Sequence, residues 1–354
     1  MKTRQPKHDG TEALRLPELV SDRAQRPLGC KDINFRNGFR VQDPLTLRYR
    51  TGRVVRKGWP RMTESGKGVL AMVGACSIWG LSALFYKLLT DVPPLEVLAH
   101  RTLWSLVVFG IVLALQGRLR ETGAALAGRR NFALVFAAAA MISCNWFFFI
   151  FSVQVGRVVE TSLGYYIFPL VAVAIGGVVL RERLSRAQMA AVALAALAVI
   201  ILTAGLGVAP WISLILAVTF GLYGLLKRWV AAGPVVSVTA EVVVLAPIAL
   251  VYLIWLGAEA GSFGHDLKLS GLLILAGPMT AIPLIMFSYA AKRASMSTIG
   301  LVQYLNPSLQ FFCAAVLFGE TVTLWHAIAF PIIWVALALY SWATLRRAPP
   351  PAQP

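Results

Sequence analysis

Residues 166–182 read YIFPLVAVAIGGVVLRE, and residues 304–320 read YLNPSLQFFCAAVLFGE. Tyr166, Pro169 and Glu182 recur as Tyr304, Pro307 and Glu320, each displaced by 138 positions. The same displacement sets Asn145 against Pro283. A displacement of 140 sets Lys87 against Lys227, Pro94 against Pro234 and Arg101 against Glu241. The apolar segments around these anchors divide into five before residue 207 and five after it. An odd number of crossings reverses the direction in which the next copy enters, so the two copies must be inverted. Many secondary transporters are built this way, with the substrate site where the copies meet.

The composition agrees with that plan. Of 354 residues, 58% are hydrophobic and 14% charged, with mean hydropathy +0.70. A soluble domain carries about 25% charged residues, so water is the wrong solvent for most of this chain. A bilayer crossing takes about 20 mostly apolar residues. Ten stretches meet that length: 69–89, 95–115, 132–153, 161–180, 187–206, 211–230, 237–256, 269–290, 298–318 and 322–343. The predicted fold class is an all-α polytopic membrane protein of ten transmembrane helices in two inverted five-helix repeats. The expected units are 66–206 and 207–345, with a C-terminal tail at 346–354. Alternating strands of about ten residues, the mark of a membrane barrel, are absent from the sequence.

The net charge of +17 does not point to nucleic acid. Residues 1–61 hold fifteen Lys or Arg and six Asp or Glu, and the rest of the excess falls in short loops. No span carries a basic stripe and no nucleic-acid module is present. Residues 1–65 read as a basic disordered tail or a non-native extension. They are polar, rich in proline and without the apolar core of a signal peptide, and Met62 is an alternative start just before the first span. Cys30, Cys76, Cys144 and Cys313 show no paired spacing; three lie in spans and read as small packing residues.

Cytoplasmic loops carry the excess of Lys and Arg. Thirteen fall on alternate loops, from Arg118 and Arg120 through Arg181, Arg183 and Arg186 to Arg346 and Arg347. The intervening loops offer Arg157 and Lys268, with Lys87 at the end of the first span. Both termini are therefore expected in the cytoplasm, with Glu182 at the inner face and Glu320 at the outer.

Several motifs resemble one family. They are His100-Arg101 with Trp104-Ser105, Asn145-Trp146, Ser162-Leu163-Gly164-Tyr165-Tyr166 running to Pro169, and Gln303-Tyr304 with Pro307. Together they are similar to the RarD branch of the EamA family, within the drug/metabolite transporter superfamily, over about residues 66–345. The resemblance implies two inverted EamA units, a multi-pass protein of the bacterial cytoplasmic membrane, and export or exchange of small molecules. One departure stands out: the family commonly has Asn before the span-four proline, where this chain has Phe168, whereas Asn306 is present in span nine.

Ionisable groups inside spans cost on the order of 2.5–3.5 kcal/mol at a helix centre, so they mark cavities or paired interiors. His100 and Arg101 lie roughly 8–9 Å inside the outer end of span two. With Lys87 and Glu160 they form a candidate outer binding or gating cluster, in which Arg101 or Lys87 attracts an anionic group. Lys87 snorkelling at a helix end is the plainer alternative. Glu241 is read either as a proton relay or as a static partner of Lys227 or Arg101. Trp79, Asn145, Trp146, Tyr165, Tyr166, Gln303, Tyr304 and Asn306 form a mid-membrane polar and aromatic set suited to a moderately apolar or zwitterionic molecule. Pro169, Pro283 and Pro307 are candidate hinges. Glu182 and Glu320 read as helix-end caps or salt-bridge partners.

The leading functional expectation is a secondary transporter of small organic solutes by alternating access, with protons an open second cargo. No Walker loop, HExxH site or GxSxG elbow is present in the sequence, so neither ATP, a metal nor another cofactor is expected. The alternatives are an integral membrane enzyme and a non-transporting partner protein. Substrate identity, direction of flux and oligomeric state are left open.

Overall fold

The computed structural model describes residues 63–181 and 184–347. The chain divides into 1–58 and 59–354, and the described residues belong to the second unit. The expectations for the basic tail up to residue 62, for Cys30, Glu182 and Arg183, for the side chains of Arg346 and Arg347, and for the tail from residue 348 lie outside the described residues.

Twelve α-helices follow one another, with no strand among the described residues. They are α1 (Glu64–Lys87), α2 (Pro94–Leu115), α3 (Leu119–Leu126), α4 (Arg129–Gln154), α5 (Val158–Val179), α6 (Arg186–Leu206), α7 (Trp211–Lys227), α8 (Pro234–Ala260), α9 (Leu267–Ala291), α10 (Met296–Val302), α11 (Leu305–Phe312) and α12 (Leu324–Arg347). Eight are long and apolar enough to cross a bilayer: α1, α2, α4, α5, α6, α8, α9 and α12. The chain is thus an all-helical polytopic membrane protein. The segment expected at 211–230 forms a shorter helix of 17 residues.

Local chemistry sets the helix ends. Thr63 accepts a hydrogen bond from Gly66 N at 3.1 Å, with Glu64 in the first turn and Lys87 in the last, the polarity the helix dipole favours. Pro94 and Pro234 open α2 and α8 where an N–H would have no partner. Ser185 and Gln188 form a capping box at α6, which Gly207 closes at φ +70°.

Two elements depart from the sequence expectation. The span expected at 298–318 is interrupted. Helix α10 stops at Val302, α11 begins at Leu305, and a π-helical turn covers Cys313–Leu317. Pro307 has no N–H to offer Gln303, and Asn306 N reaches that carbonyl instead at 3.1 Å. By contrast α5 and α9 continue through Pro169, Pro278 and Pro283. The second departure is α3, in a stretch expected to be loop. Arg118 donates to both carboxylate oxygens of Glu121 at 2.7 Å, and that bonding holds the Glu121 carboxyl below its usual range.

The packing pairs repeat in a regular way. Helix α5 packs on α7 and α11 on α1; α4 packs on α7 and α9 on α1; α2 packs on α9 and α4 on α8. Three further pairs, α2 with α8, α5 with α11 and α6 with α12, close the bundle. Small residues let the backbones approach. A Cβ on Gly164 would meet Ser213 O of α7 at 2.8 Å, and one on Gly277 would meet the Trp104 carbonyl carbon of α2 at 2.5 Å. Ile111, Val178, Ile200, Val251, Ile254 and Val335 are exposed on the outside, while Glu96, Arg101, Asn145 and Glu241 are buried within. Apolar outside and charged inside is the arrangement hydrocarbon demands.

Candidate functional site

Arg101, only 6% exposed, is the centre of the first polar cluster. It lies two turns into α2, and its neighbours come from three other helices. Its Nε donates to Thr280 Oγ1 on α9 at 2.7 Å. The guanidinium lies over the Trp146 ring of α4 at 4.2 Å and over the Tyr86 ring of α1 at 5.7 Å. One residue before Trp146, Asn145 Oδ1 accepts from Tyr165 OH of α5 at 2.9 Å. The Asn145 amide in turn donates to Leu216 O at 2.9 Å and Thr219 Oγ1 at 3.1 Å on α7. The Asn145 amide is therefore fully occupied, as buried polar groups must be.

A second cluster sits towards the opposite end of the bundle. Lys227, closing α7, donates to Glu241 Oε1 on α8 at 2.6 Å and also to Ser237 Oγ. Tyr223 OH donates to Glu241 Oε2 at 3.1 Å. Ser237 Oγ is the third group bonded to Glu241, at 3.3 Å, and the cation paired with Glu241 is Lys227 rather than Arg101.

At the end of the bundle that holds the start of α2 and α5, carboxylates link neighbouring segments. Glu96, fully buried in the first turn of α2, accepts from Ser262 N at 2.6 Å and Ser262 Oγ at 3.1 Å in the α8–α9 loop. His100 stands one turn below with Nε2 4.0 Å from Glu96, and its ring stacks on Phe263 at 4.8 Å. Glu320 accepts from Val158 N and Val159 N, each at 2.8 Å, and so caps α5 from the far half of the chain. The cap reading for Glu320 stands, on a helix distant in sequence. Glu160 is held by Arg157, three residues earlier.

Beside α5, α10, α11 and α12 lies an open surface cavity of about 390 Å³ that includes Tyr166, Leu301, Tyr304, Ser308, Trp334 and Ser341. It unites the repeated tyrosines: Tyr166 OH and Ser308 Oγ are 2.7 Å apart, and Ser308 Oγ donates to Tyr304 O at 2.7 Å. Ser162 Oγ donates to Pro307 O at 2.8 Å, joining the same two elements.

The expected residues therefore divide. Arg101, Asn145, Trp146 and Tyr165 converge; Tyr166 and Tyr304 belong to the separate α12 cavity. Trp79 packs on Phe287 at 6.2 Å, and Asn306 accepts from Gln310 at 3.0 Å. Gln303 adjoins the break before α11. The outer cluster also divides: Lys87 is exposed beside the Phe318 ring at 5.6 Å and does not reach Arg101. Among the polar residues of these sites that were not foreseen are Tyr86, Glu96, Tyr223 and Thr280. Glu96 was within reach of the criterion that found Arg101, being a charge inside an expected span. Tyr86 and Thr280 acquire meaning only from the three-dimensional approach of α1 and α9.

Comparison with known proteins adds the family. Residues 66–204 match the EamA-like transporter family. Protein RarD of Streptomyces exfoliatus is 44% identical over 290 residues, covering 80% of this chain and 91% of that protein. The chain belongs to the EamA-like transporter family. Within it the chain is RarD-like. An uncharacterized transporter of Bacillus subtilis (strain 168), YojE, is 38% identical over 297 residues, 80% of this chain and 96% of that one. A Pseudomonas aeruginosa relative named chloramphenicol-sensitive protein RarD is 30% identical over 289 residues, 80% of this chain and 97% of its own. A solved crystal structure aligns over 79% of the chain and 99% of its own length, with TM-score 0.54 and 18% identity, which speaks to fold alone.

For an EamA-like membrane transporter, the relevant contrast is between the two charged centres. The Lys227–Glu241 pair is internally neutralised. Arg101 faces aromatic rings and a hydroxyl, and none of the described carboxylates is within ion-pair distance of it. A cation over a desolvated aromatic face gains about 2 kcal/mol, which holds the guanidinium in place without spending most of its N–H donors.

Proposed function

We propose that this chain is a secondary transporter that moves small organic solutes, outward on balance, by rocking two inverted five-span halves about a shared passage. The halves are residues 66–206 and 207–345, with both termini in the cytoplasm of a bacterial cell and the bundle in its cytoplasmic membrane. The broken segment α10–α11 and its π turn together serve as the ninth crossing, and α7 as the sixth.

One observation carries this reading. Exchanging α1, α2, α4, α5 and α6 for α7, α8, α9, α10–α11 and α12 turns the main helix contacts into one another: α5–α7 into α11–α1, α4–α7 into α9–α1, and α2–α9 into α8–α4. The contacts α2–α8, α5–α11 and α6–α12 map onto themselves. A two-fold relation of that kind is what inverted repeats produce, and it fits the displacement of 138 between Tyr166 and Tyr304. Arg101 and the aromatic wall then lie between the halves, where a carried molecule would sit. Pro307, at the break, serves as a pivot; Pro169 and Pro283 lie in continuous helix and shape packing. The relative named chloramphenicol-sensitive fits a role in the passage of small organic molecules.

The test is comparative metabolite profiling, inside and outside cells that lack or overproduce the protein. Compounds that accumulate outside on overproduction are then assayed for uptake into proteoliposomes, with and without a pH gradient. Export of at least one organic compound that depends on the protein in both settings is expected. Profiles indistinguishable between the strains, with the protein correctly inserted, would overturn the reading.

A further inference from the structure

We propose that Arg101 is the anchor for a carboxylate, so that the molecules carried are small organic monoanions with a flat apolar body. This rests on the transport reading above and names its substrate class.

The argument begins with charge. Arg101 is the cation at the heart of the bundle, and its five N–H donors make one hydrogen bond among the described residues, from Nε to Thr280. Four carboxylates in and around the bundle each have a partner other than Arg101. Glu96 holds Ser262, Glu241 holds Lys227 and Tyr223, Glu320 holds the first turn of α5, and Glu160 holds Arg157. The protein therefore supplies no anion to Arg101, and a charged group in such a place is costly unless something pairs with it.

Geometry narrows what that something is. The Trp146 and Tyr86 ring centroids lie 4.2 and 5.7 Å from the guanidinium carbon, so aromatic surface borders the group. The hydrogen-bonding edge of a guanidinium lies in its plane and matches a carboxylate two bonds at a time, which an ammonium would not do. Around it, Phe149 packs on Tyr86 at 5.6 Å and on Tyr165 at 6.2 Å, so the surrounding surface is aromatic. A planar apolar body attached to a carboxylate satisfies both parts. A cationic amine would meet Arg101 with no free acid to hold it, and a zwitterion would leave its ammonium in the same position.

The decisive measurement is equilibrium binding of radiolabelled benzoate to the purified full chain in detergent, competed by benzamide, benzylamine and chloride. Benzoate is expected to bind and to be displaced by unlabelled benzoate. Benzamide is expected to compete about tenfold or more weakly, having lost the charge-assisted pair. Benzylamine and chloride are expected not to compete at the same concentrations. Arg101→Lys, which keeps the charge and loses the fork, weakens benzoate binding, and Arg101→Gln abolishes it. Should Arg101→Gln fail to fold, the Lys variant and the ligand comparison on the unaltered chain still decide. Absence of benzoate binding, equal competition by benzamide or by chloride, preference for benzylamine, or unchanged affinity in the Lys variant would each overturn the proposal. Proteoliposome uptake separates it from the transport reading. Benzoate that binds through Arg101 but is never taken up would count against transport alone, and uptake of benzamide at the rate of benzoate would count against the anchor alone.

Discussion

Lys227 and Glu241 lie 14 positions apart on neighbouring helices, and their 2.6 Å contact places two opposite charges in an interior where neither is tolerable alone. Breaking such a pair by removing one partner costs about 3–5 kcal/mol, whereas replacing both by apolar groups is often neutral. Lys227 retains 22% side-chain exposure, which favours the low end of that range. Glu241→Gln or Lys227→Met alone should therefore lower stability by about 3 kcal/mol. The double variant Lys227→Met with Glu241→Leu should recover most of that loss, read as thermal unfolding of the detergent-solubilised protein. Equal losses in the single and double variants would show that the pair is not coupled. Arg101 and Glu241 were legible as important from sequence, because an ionisable side chain in a hydrophobic run has few reasons to persist. Their roles were not legible. Glu241 had two cations within reach on paper, and only the approach of α7 to α8 chooses Lys227. Arg101 was aligned with Glu241 by the repeat, yet the second half carries an ion pair at the matched place and the first does not.

At the scale of the element, the spans followed from hydropathy because a helix must hide its backbone from hydrocarbon and shows this as a long apolar run. What hydropathy misses is backbone geometry inside a run. The break at Gln303–Tyr304 and the π turn at Cys313–Leu317 leave the segment as apolar as a continuous helix would be. The helix contacts are similarly hidden, since they depend on which glycines face a neighbour. Gly277 faces α2 so closely that a methyl group would overlap the Trp104 backbone. Gly277→Ala should cost about 1–3 kcal/mol of overpacking, whereas Gly271→Ala on the same helix, where a Cβ meets open space, should leave the unfolding temperature unchanged or raise it. The Glu320 cap gives a further prediction. Its two bonds to the first turn of α5 combine a charged acceptor with the positive end of the helix. Glu320→Gln should cost about 1–2 kcal/mol. It should also loosen that end of the bundle, so that a cysteine placed at Val159 in a cysteine-free background reacts faster with maleimide. Unaltered reactivity with unaltered stability would mean that the cap does not hold the two halves together.

At the scale of the whole molecule, the inverted arrangement rests on two independent kinds of information. One is the linear displacement of matched residues along the chain; the other is the exchange of packing pairs between the halves. Neither involves the membrane directly, so sidedness is the property most open to a direct test. Leu119 lies between α2 and α4, and Leu267 at the start of α9 lies in the corresponding place of the second half; both are exposed. If the halves enter the bilayer in opposite senses, these two positions lie on opposite sides despite their equivalence. The alternation of Lys and Arg along the loops puts Leu119 inside, because Arg118, Arg120, Arg129 and Arg130 surround it, whereas Lys268 stands almost alone beside Leu267. Single cysteines at each position, in the cysteine-free background, should therefore respond differently to a membrane-impermeant maleimide applied to intact bacterial cells whose outer barrier has been permeabilised. Leu267→Cys should label at once, and Leu119→Cys only after the inner membrane is opened. The reverse order would keep the inversion and exchange inside for outside, moving the Arg101 wall towards the cytoplasm. Labelling of both from one side would remove the inversion itself, and with it the shared passage on which a rocking mechanism depends.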